Sequence, residues 1–432
     1  MMRFLFVLYC VFATQVWAAT DIQTLRSPAG VTAWLVEDRN IPFVALEMRF
    51  KGGSAIDPAD KSGATNLMMA LLEEGSGEMD AQAFTTAKET LAANFSYDSY
   101  QDAVTVSARF LTENREEALS LLRQSIVSPR FEDSALERVR NQVMTGLRSS
   151  AKDPEDILRS AYNSEAYGAH PYARDDSGTF ETVTALTRED MFETHRNALV
   201  KDRVYIAAVG DISADELGLL IDSLLDGLPE TSARTLPKEA DLGLQRGVKV
   251  IDFPVPQSVA LFGHVGIARD DPDFFAAYLL NQIFGGTGFE SRLMTEVREK
   301  RGLTYGISTF LASREYAQTV VGQFASANDK MAEALNVLRA EWSKMAQQGV
   351  SADELQRVKT YLTGAYPLRF DGNAAIAGIL VGMQMQGLDP SYVVTRNDKV
   401  NAVTLEQANR VAKRLFQPDK LRIFVVGQPE GL

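Results

Sequence analysis

VSARFLTENREEALSLL, residues 106–122, and VGQFASANDKMAEALNVL, residues 321–338, follow one local plan. Each begins with a strand-like run and passes through a short polar turn into an amphipathic helical pattern. The likeness extends outward on both sides. FVALEMRF at 43–50 answers to SVALFGHV at 258–265, and each precedes a helix-prone segment opening near Asp57-Pro58 or Asp271-Pro272. LERVRNQVMTGLRS at 136–149 answers to LQRVKTYLTGAYPL at 355–368. The near-constant offset makes the chain a duplication of a unit of about 200 residues. Strands and long helices mixed within each copy predict the α+β class, as two duplicated sandwich domains, each an antiparallel sheet covered on one face by helices. The expected domains are residues 19–228 and 248–432. Between them, 229–247 is rich in Pro, Ser, Thr and charge without an apolar period, and reads as a linker that joins rather than packs.

The chain has 432 residues, 45% of them apolar and 23% charged, enough for two cores. Residues 1–18, MMRFLFVLYCVFATQVWA, combine Arg3, an apolar run from Phe4 to Ala13 and the small-residue site Val16-Trp17-Ala18. This pattern predicts a secretory signal, cleaved to leave a periplasmic protein with no membrane span. The single cysteine, Cys10, leaves with it. The mature chain is then without disulfides, thiolate metal sites or cysteine nucleophiles. A formal charge of −13, one unit more negative once Arg3 is removed, excludes a phosphate-backbone partner such as nucleic acid.

A second stretch carries chemistry: SRLMTEVREKRGLTYGI at 291–307. A helical run is expected to end at Gly302, and Arg298 and Tyr305 stand seven residues apart, about two helical turns, so that both can face one cleft. The segment resembles the second-half signature of the pitrilysin/insulinase clan of zinc peptidases, most closely its short-chain bacterial, mitochondrial-processing-peptidase-like branch. The resemblance extends over nearly all the mature chain, including HPYARDDSGTFETVTALTREDM at 170–191 and RVYIAAVGDIS at 203–213. It implies two α+β halves closing like a clam shell around an unfolded peptide, with Arg298 and Tyr305 donating hydrogen bonds to the scissile carbonyl.

The same resemblance implies a zinc site in the first half, built from two histidines at i and i+4 with a glutamate just before the second. The matching segment is SGATNLMMALLEEG at 62–75, with Asn66 and Ala70 at the histidine positions and Met69 at the glutamate. Its pattern still predicts a helix, capped by Ser62, ended by Gly75 and buried along Ala64, Leu67, Met68 and Leu71. A third ligand falls near Thr145 and Gly146, where no carboxylate stands. Glu73 and Glu74 read as a solvated helix end. The three histidines are too far apart for an i, i+4 pair: His170 is expected in a turn, His195 on a partly exposed helix and His264 on a strand.

These features imply a non-catalytic subunit with no cofactor of its own. Its partner would be a homologous zinc-bearing chain, and Arg298 and Tyr305 would serve that partner's active site. The alternative is a peptide-binding scaffold with no part in catalysis. ANFSYDSYQDAVTV at 93–106 reads as a sheet edge, which in the resembled family receives the peptide as an added strand. FGGTGF at 284–289 lacks the pattern of a phosphate loop and reads as a flexible joint. No GxSxG elbow supports a serine hydrolase.

Overall fold

The computed structural model describes residues 21–286 and 290–432, so the expected leader and part of the 284–289 run lie outside the described residues. The first half runs β1 (Gln23–Arg26), β2 (Thr32–Glu37), β3 (Phe43–Lys51), α1 (Ala64–Ala70), a short β4 (Gly75–Ser76) and β5 (Met79–Asp80), then α2 (Ala81–Thr90). It continues with β6 (Asn94–Ser99), β7 (Ala103–Leu111), α3 (Arg115–Val127), α4 (Asp133–Ser150) and α5 (Pro154–Tyr167). Then come α6 (Phe180–Ala185), α7 (Arg188–Ala198), β8 (Val204–Gly210) and α8 (Ala214–Leu225). The second half has β9 (Gly247–Asp252), β10 (Gln257–Val265), α9 (Phe274–Gly285), a π-helical turn (Met294–Glu299), β11 (Ile307–Ser313) and β12 (Gln318–Ala327). It ends with α10 (Met331–Gln348), α11 (Ala352–Ala365), α12 (Asn373–Met385), α13 (Tyr392–Ala402), α14 (Leu405–Leu415) and β13 (Arg422–Gly427).

The two main sheets show the duplication strand by strand. One has the order β1-β2-β8-β3-β7-β6 and the other β9-β13-β10-β12-β11. Without β1, the orders correspond position for position and every pairing has the same direction. The expected antiparallel sheets are in fact mixed. In each half the closing strand, β8 or β13, returns after a long helical excursion and slots between β2 and β3 or between β9 and β10, running parallel to β2 or β9. Such a crossover length is what a parallel pair requires. As expected for a sheet edge, β6 and β11 have a strand neighbour on one side only.

Each sheet is apolar on both faces, and its own helices cover one of them. The other face is covered by a helix lent from the opposite half. Leu158, Tyr162 and Tyr167 of α5 pack on Val259, Val321, Phe424 and Val426 of the second sheet. Ala377, Leu380 and Val381 of α12 pack on Trp34, Val36, Ala207 and Val209 of the first. The two helices occupy matching places in the repeat, so the exchange is reciprocal. It holds the two halves of the clam shell together and leaves grooves of about 480 Å³ and 320 Å³ beside the exchanged helices.

The segment 229–247 packs, contrary to the expectation from its composition. Leu236, Ala240, Leu242 and Leu244 lie against the cluster beneath α5. The Ala240 and Gly243 N–H groups donate to Tyr316 O at 2.8 Å and Ala166 O at 2.9 Å, and Arg234 reaches Glu193 at 3.1 Å. No helix among the described residues is long and apolar enough to cross a membrane.

Candidate functional site

Residues 291–306 form a pinned segment between α9 and the edge strand β11. Arg292 anchors its start through a two-pronged contact with Glu354, Nε–Oε1 at 2.7 Å and Nη2–Oε2 at 2.9 Å, and through Gly349 O at 2.9 Å. Burial works to raise the Glu354 carboxyl, but Arg292 and the Ser351 N–H hold it down at about 2. The wide turn that follows carries Arg298, which is half-buried, and Lys300 N–H closes it on Thr295 O at 3.0 Å. π-helical turns are rare and concentrate at functional sites. Gly302 then reverses the chain at φ +61°, a conformation that glycine adopts without strain.

Tyr305 follows outside any helix. The helical run stops just before Gly302, so Arg298 lies on the wide turn and Tyr305 on the segment that follows it. What fixes Tyr305 is Thr304. Its hydroxyl lies 2.6 Å from Ala325 O and 2.8 Å from Gly306 O, and it accepts from Gly306 N–H at 3.1 Å. Ser326 Oγ donates to Leu303 O at 2.6 Å on the other side. The Tyr305 side chain is nonetheless 87% exposed, and among the described residues its hydroxyl has no hydrogen-bond partner. Gly306, Ser308 and Phe310, the residues next along the chain, line the larger groove between α5 and the second sheet.

The other positions singled out lie in the first half. Helix α1 is shorter than expected. Gly63, at φ +90°, precedes it, and a Cβ there would stand 2.6 Å from Ser177 O. Ser62 is not its cap, and the helix ends at Ala70, short of Gly75. The first turn is capped instead by Asp57, which accepts from Thr65 N at 3.0 Å and Thr65 Oγ1 at 2.6 Å. Burial pushes the Asp57 carboxyl up to about 6 in spite of these bonds and of Arg234 and Arg174 nearby. Ala64, Leu67, Met68 and Leu71 are buried as expected.

Asn66 donates to Ser177 Oγ at 3.2 Å, Met69 lies in the core at 1% exposure, and Ala70 packs beside it. An engaged amide, a buried thioether and a methyl do not make a zinc site. Thr145 and Gly146 lie on the exposed side of α4. Among the described residues no group of three or more His, Cys, Asp or Glu could hold a metal ion. Glu73 pairs with Lys88 at 2.8 Å and Glu74 with Arg138 at 2.7 Å.

His170 sits in a turn, its Nε2 2.9 Å from Lys238 O, and His264 is on β10. His195 is buried, not partly exposed, because its Nε2 turns inward to Ile126 O at 2.7 Å.

Two family models lie end to end on the chain: Insulinase (Peptidase family M16) over residues 33–179 and Peptidase M16 inactive domain over residues 185–362. The chain belongs to the M16 family. It is 22% identical over 391 residues to a non-peptidase homologue of Helicobacter pylori, with 90% of each chain covered. It is 23% identical to a probable mitochondrial-processing peptidase subunit beta of Schizosaccharomyces pombe, over 98% of this chain and 94% of that one. A crystal structure described as the peptidase M16 inactive domain from Pseudomonas fluorescens matches with a TM-score of 0.88 at 29% identity, covering 95% and 98% of the two chains.

Three residues that support these two segments of the M16 chain have no local motif. Thr304 acts through Ala325, on the neighbouring strand β12. Asp57 caps a helix that begins seven residues later. Arg234, in the segment between the halves, stands 3.5 Å from Asp57. The only signal for the packing of that segment is a period of two. Ser232, Arg234 and Leu236, then Ala240, Leu242 and Leu244, turn inward while their neighbours face solvent.

Proposed function

We propose that this chain is the non-catalytic, substrate-binding subunit of a heterodimeric periplasmic zinc peptidase. A homologous partner carries the zinc, and Arg298 and Tyr305 complete that partner's active site. The observation that carries the reading is Tyr305 itself, a phenol 87% exposed on a backbone pinned from both sides. A tyrosine with no hydrogen-bond partner among the described residues is placed for something outside its own chain.

When a peptide bond is attacked, its carbonyl oxygen gains negative charge. Donors fixed beforehand stabilise that charge more in the transition state than in the substrate. A phenol and a guanidinium are suited to this, while Asn66, Met69 and Ala70 supply neither metal ligand nor base. The β subunit among the relatives supports assembly with a second chain. The non-peptidase homologue supports the alternative, a peptide-holding scaffold.

One experiment separates them. The purified chain is expected to hold no stoichiometric zinc and to cleave no peptide. Peptidase activity should appear when a homologue with intact zinc ligands from the same organism is added, above that homologue's activity alone. A mixture no more active than the homologue by itself would favour the scaffold. One tight zinc per isolated chain would end both readings.

A further inference from the structure

A cavity of about 460 Å³ lies between α9, α12, α13 and the turn at 366–369, away from the Tyr305 segment. Arg269, Arg369 and Arg396 line it together with aromatic rings, and no Asp or Glu does. The chain has 57 acidic residues against 44 Lys and Arg, and elsewhere many of its arginines find carboxylates, as Arg410 and Arg414 do at Asp273. Here they do not.

Arg396 is 5% exposed and donates only to neutral acceptors: Leu362 O at 2.9 Å, Asn397 Oδ1 at 2.9 Å and Tyr278 OH at 3.2 Å. Its guanidinium lies 4.6 Å from the Tyr366 ring centroid. Arg269 stacks at 4.1 Å over Phe274 and bonds to Tyr392 OH and Gln386. Among the described residues none of the three arginines pairs with a carboxylate. Burial pushes the Tyr366 hydroxyl up, and Arg396, Arg369 and Arg269 all pull it back, so their charges converge on one spot.

A buried cation without a counter-charge is costly, and like charges gathered around one space add to that cost. The Arg269 and Arg396 guanidiniums lie against ring faces and use two and three of their five N–H groups in the bonds above, so N–H groups remain for recognition of an oxyanion. The volume and apolar lining suit a small ligand with a body about the size of a ring.

We propose that this cavity is a binding site for a small aromatic oxyanion, a carboxylate or phosphate carried on a ring. The site is independent of the reading of Tyr305. Its walls join helices of the second half to α12, which covers the first-half sheet, so an occupant braces the contact between the halves.

The test is calorimetric titration of the intact chain with phenylacetate, phenyl phosphate, inorganic phosphate and benzylamine. One of the two aromatic oxyanions should bind one-to-one, and the preferred headgroup identifies the anion. Benzylamine should not bind, and inorganic phosphate should bind more weakly than the aryl ligand. The bound ligand should raise the thermal midpoint.

Arg369→Gln, at an exposed position where folding is not at risk, should weaken binding about tenfold or more. Arg269→Gln should act in the same direction. No saturable binding of either aromatic oxyanion, equal binding of benzylamine, or unchanged affinity in both variants would overturn the proposal.

Discussion

Removing one oxygen atom tests the proposed division of labour. In the isolated chain the Tyr305 hydroxyl has no hydrogen-bond partner among the described residues, and the ring is 87% exposed. Tyr305→Phe should therefore leave stability within about 0.5 kcal/mol of the parent. In a mixed peptidase the same oxygen is one of two donors to a developing oxyanion. Losing such a donor costs about 3 kcal/mol of barrier, on the order of a hundredfold in turnover. The two numbers differ enough to separate a structural from a catalytic role.

The assay is steady-state cleavage of a quenched fluorescent peptide by the reconstituted pair, with calorimetry on the variant alone. Because the bond is made chiefly in the transition state, kcat should fall and KM should hold. Thr304→Val keeps the phenol but removes the hydroxyl that fixes its backbone. It should lower kcat while Tyr305 is still present. Parent-like turnover in Tyr305→Phe, or a matching loss of stability, would refute the reasoning.

Two further predictions concern the fold. Burial pulls His264 from 6.5 down to about 4, so neutral imidazole is favoured in the folded state and about 3 kcal/mol of stability, present above pH 6.5, is lost as the pH falls toward 4. Urea midpoints across that range should show this slope in the parent and not in His264→Gln, and parallel curves would contradict it. The reciprocal exchange of α5 and α12 predicts that both halves unfold in one calorimetric transition. Leu380→Ala, at a fully buried site on α12, should lower that single midpoint at a cost of about 2–5 kcal/mol, and two separate transitions would disprove the coupling.

The repeat is legible in sequence because strand alternation and helix periodicity are local, and FVALEMRF and SVALFGHV become the corresponding strands β3 and β10. The mixed character of the sheets is not legible, since a strand's direction depends on where β8 and β13 insert after long excursions. The helix exchange is hidden for a related reason. PEDILRSAYNSEAY shows an apolar stripe at Leu158 and Tyr162, but nothing in a stripe says which sheet it will cover. Composition misleads at 229–247, where few apolar residues suffice because they alternate and because backbone groups bond to the core on either side.

At the candidate site the balance is reversed. Arg298 and Tyr305 look like an ordinary charged residue and an ordinary aromatic in isolation, and only the family pattern draws them out. Their supports, Thr304 and the wide turn, come from contacts and backbone geometry. In the first half, Asn66 is tied to Ser177 and Met69 is packed among Leu67, Met68 and Leu71. A carboxylate at Met69, where the side chain is 1% exposed among apolar residues, would have to be buried at a cost. The helix that resembles a metal-binding element now serves the core, while the segment that resembles a substrate-gripping element holds its phenol out in solvent. Two halves built on one plan thus differ in what these segments do, one turned inward to hold the fold and the other, on the proposed reading, outward toward a second molecule.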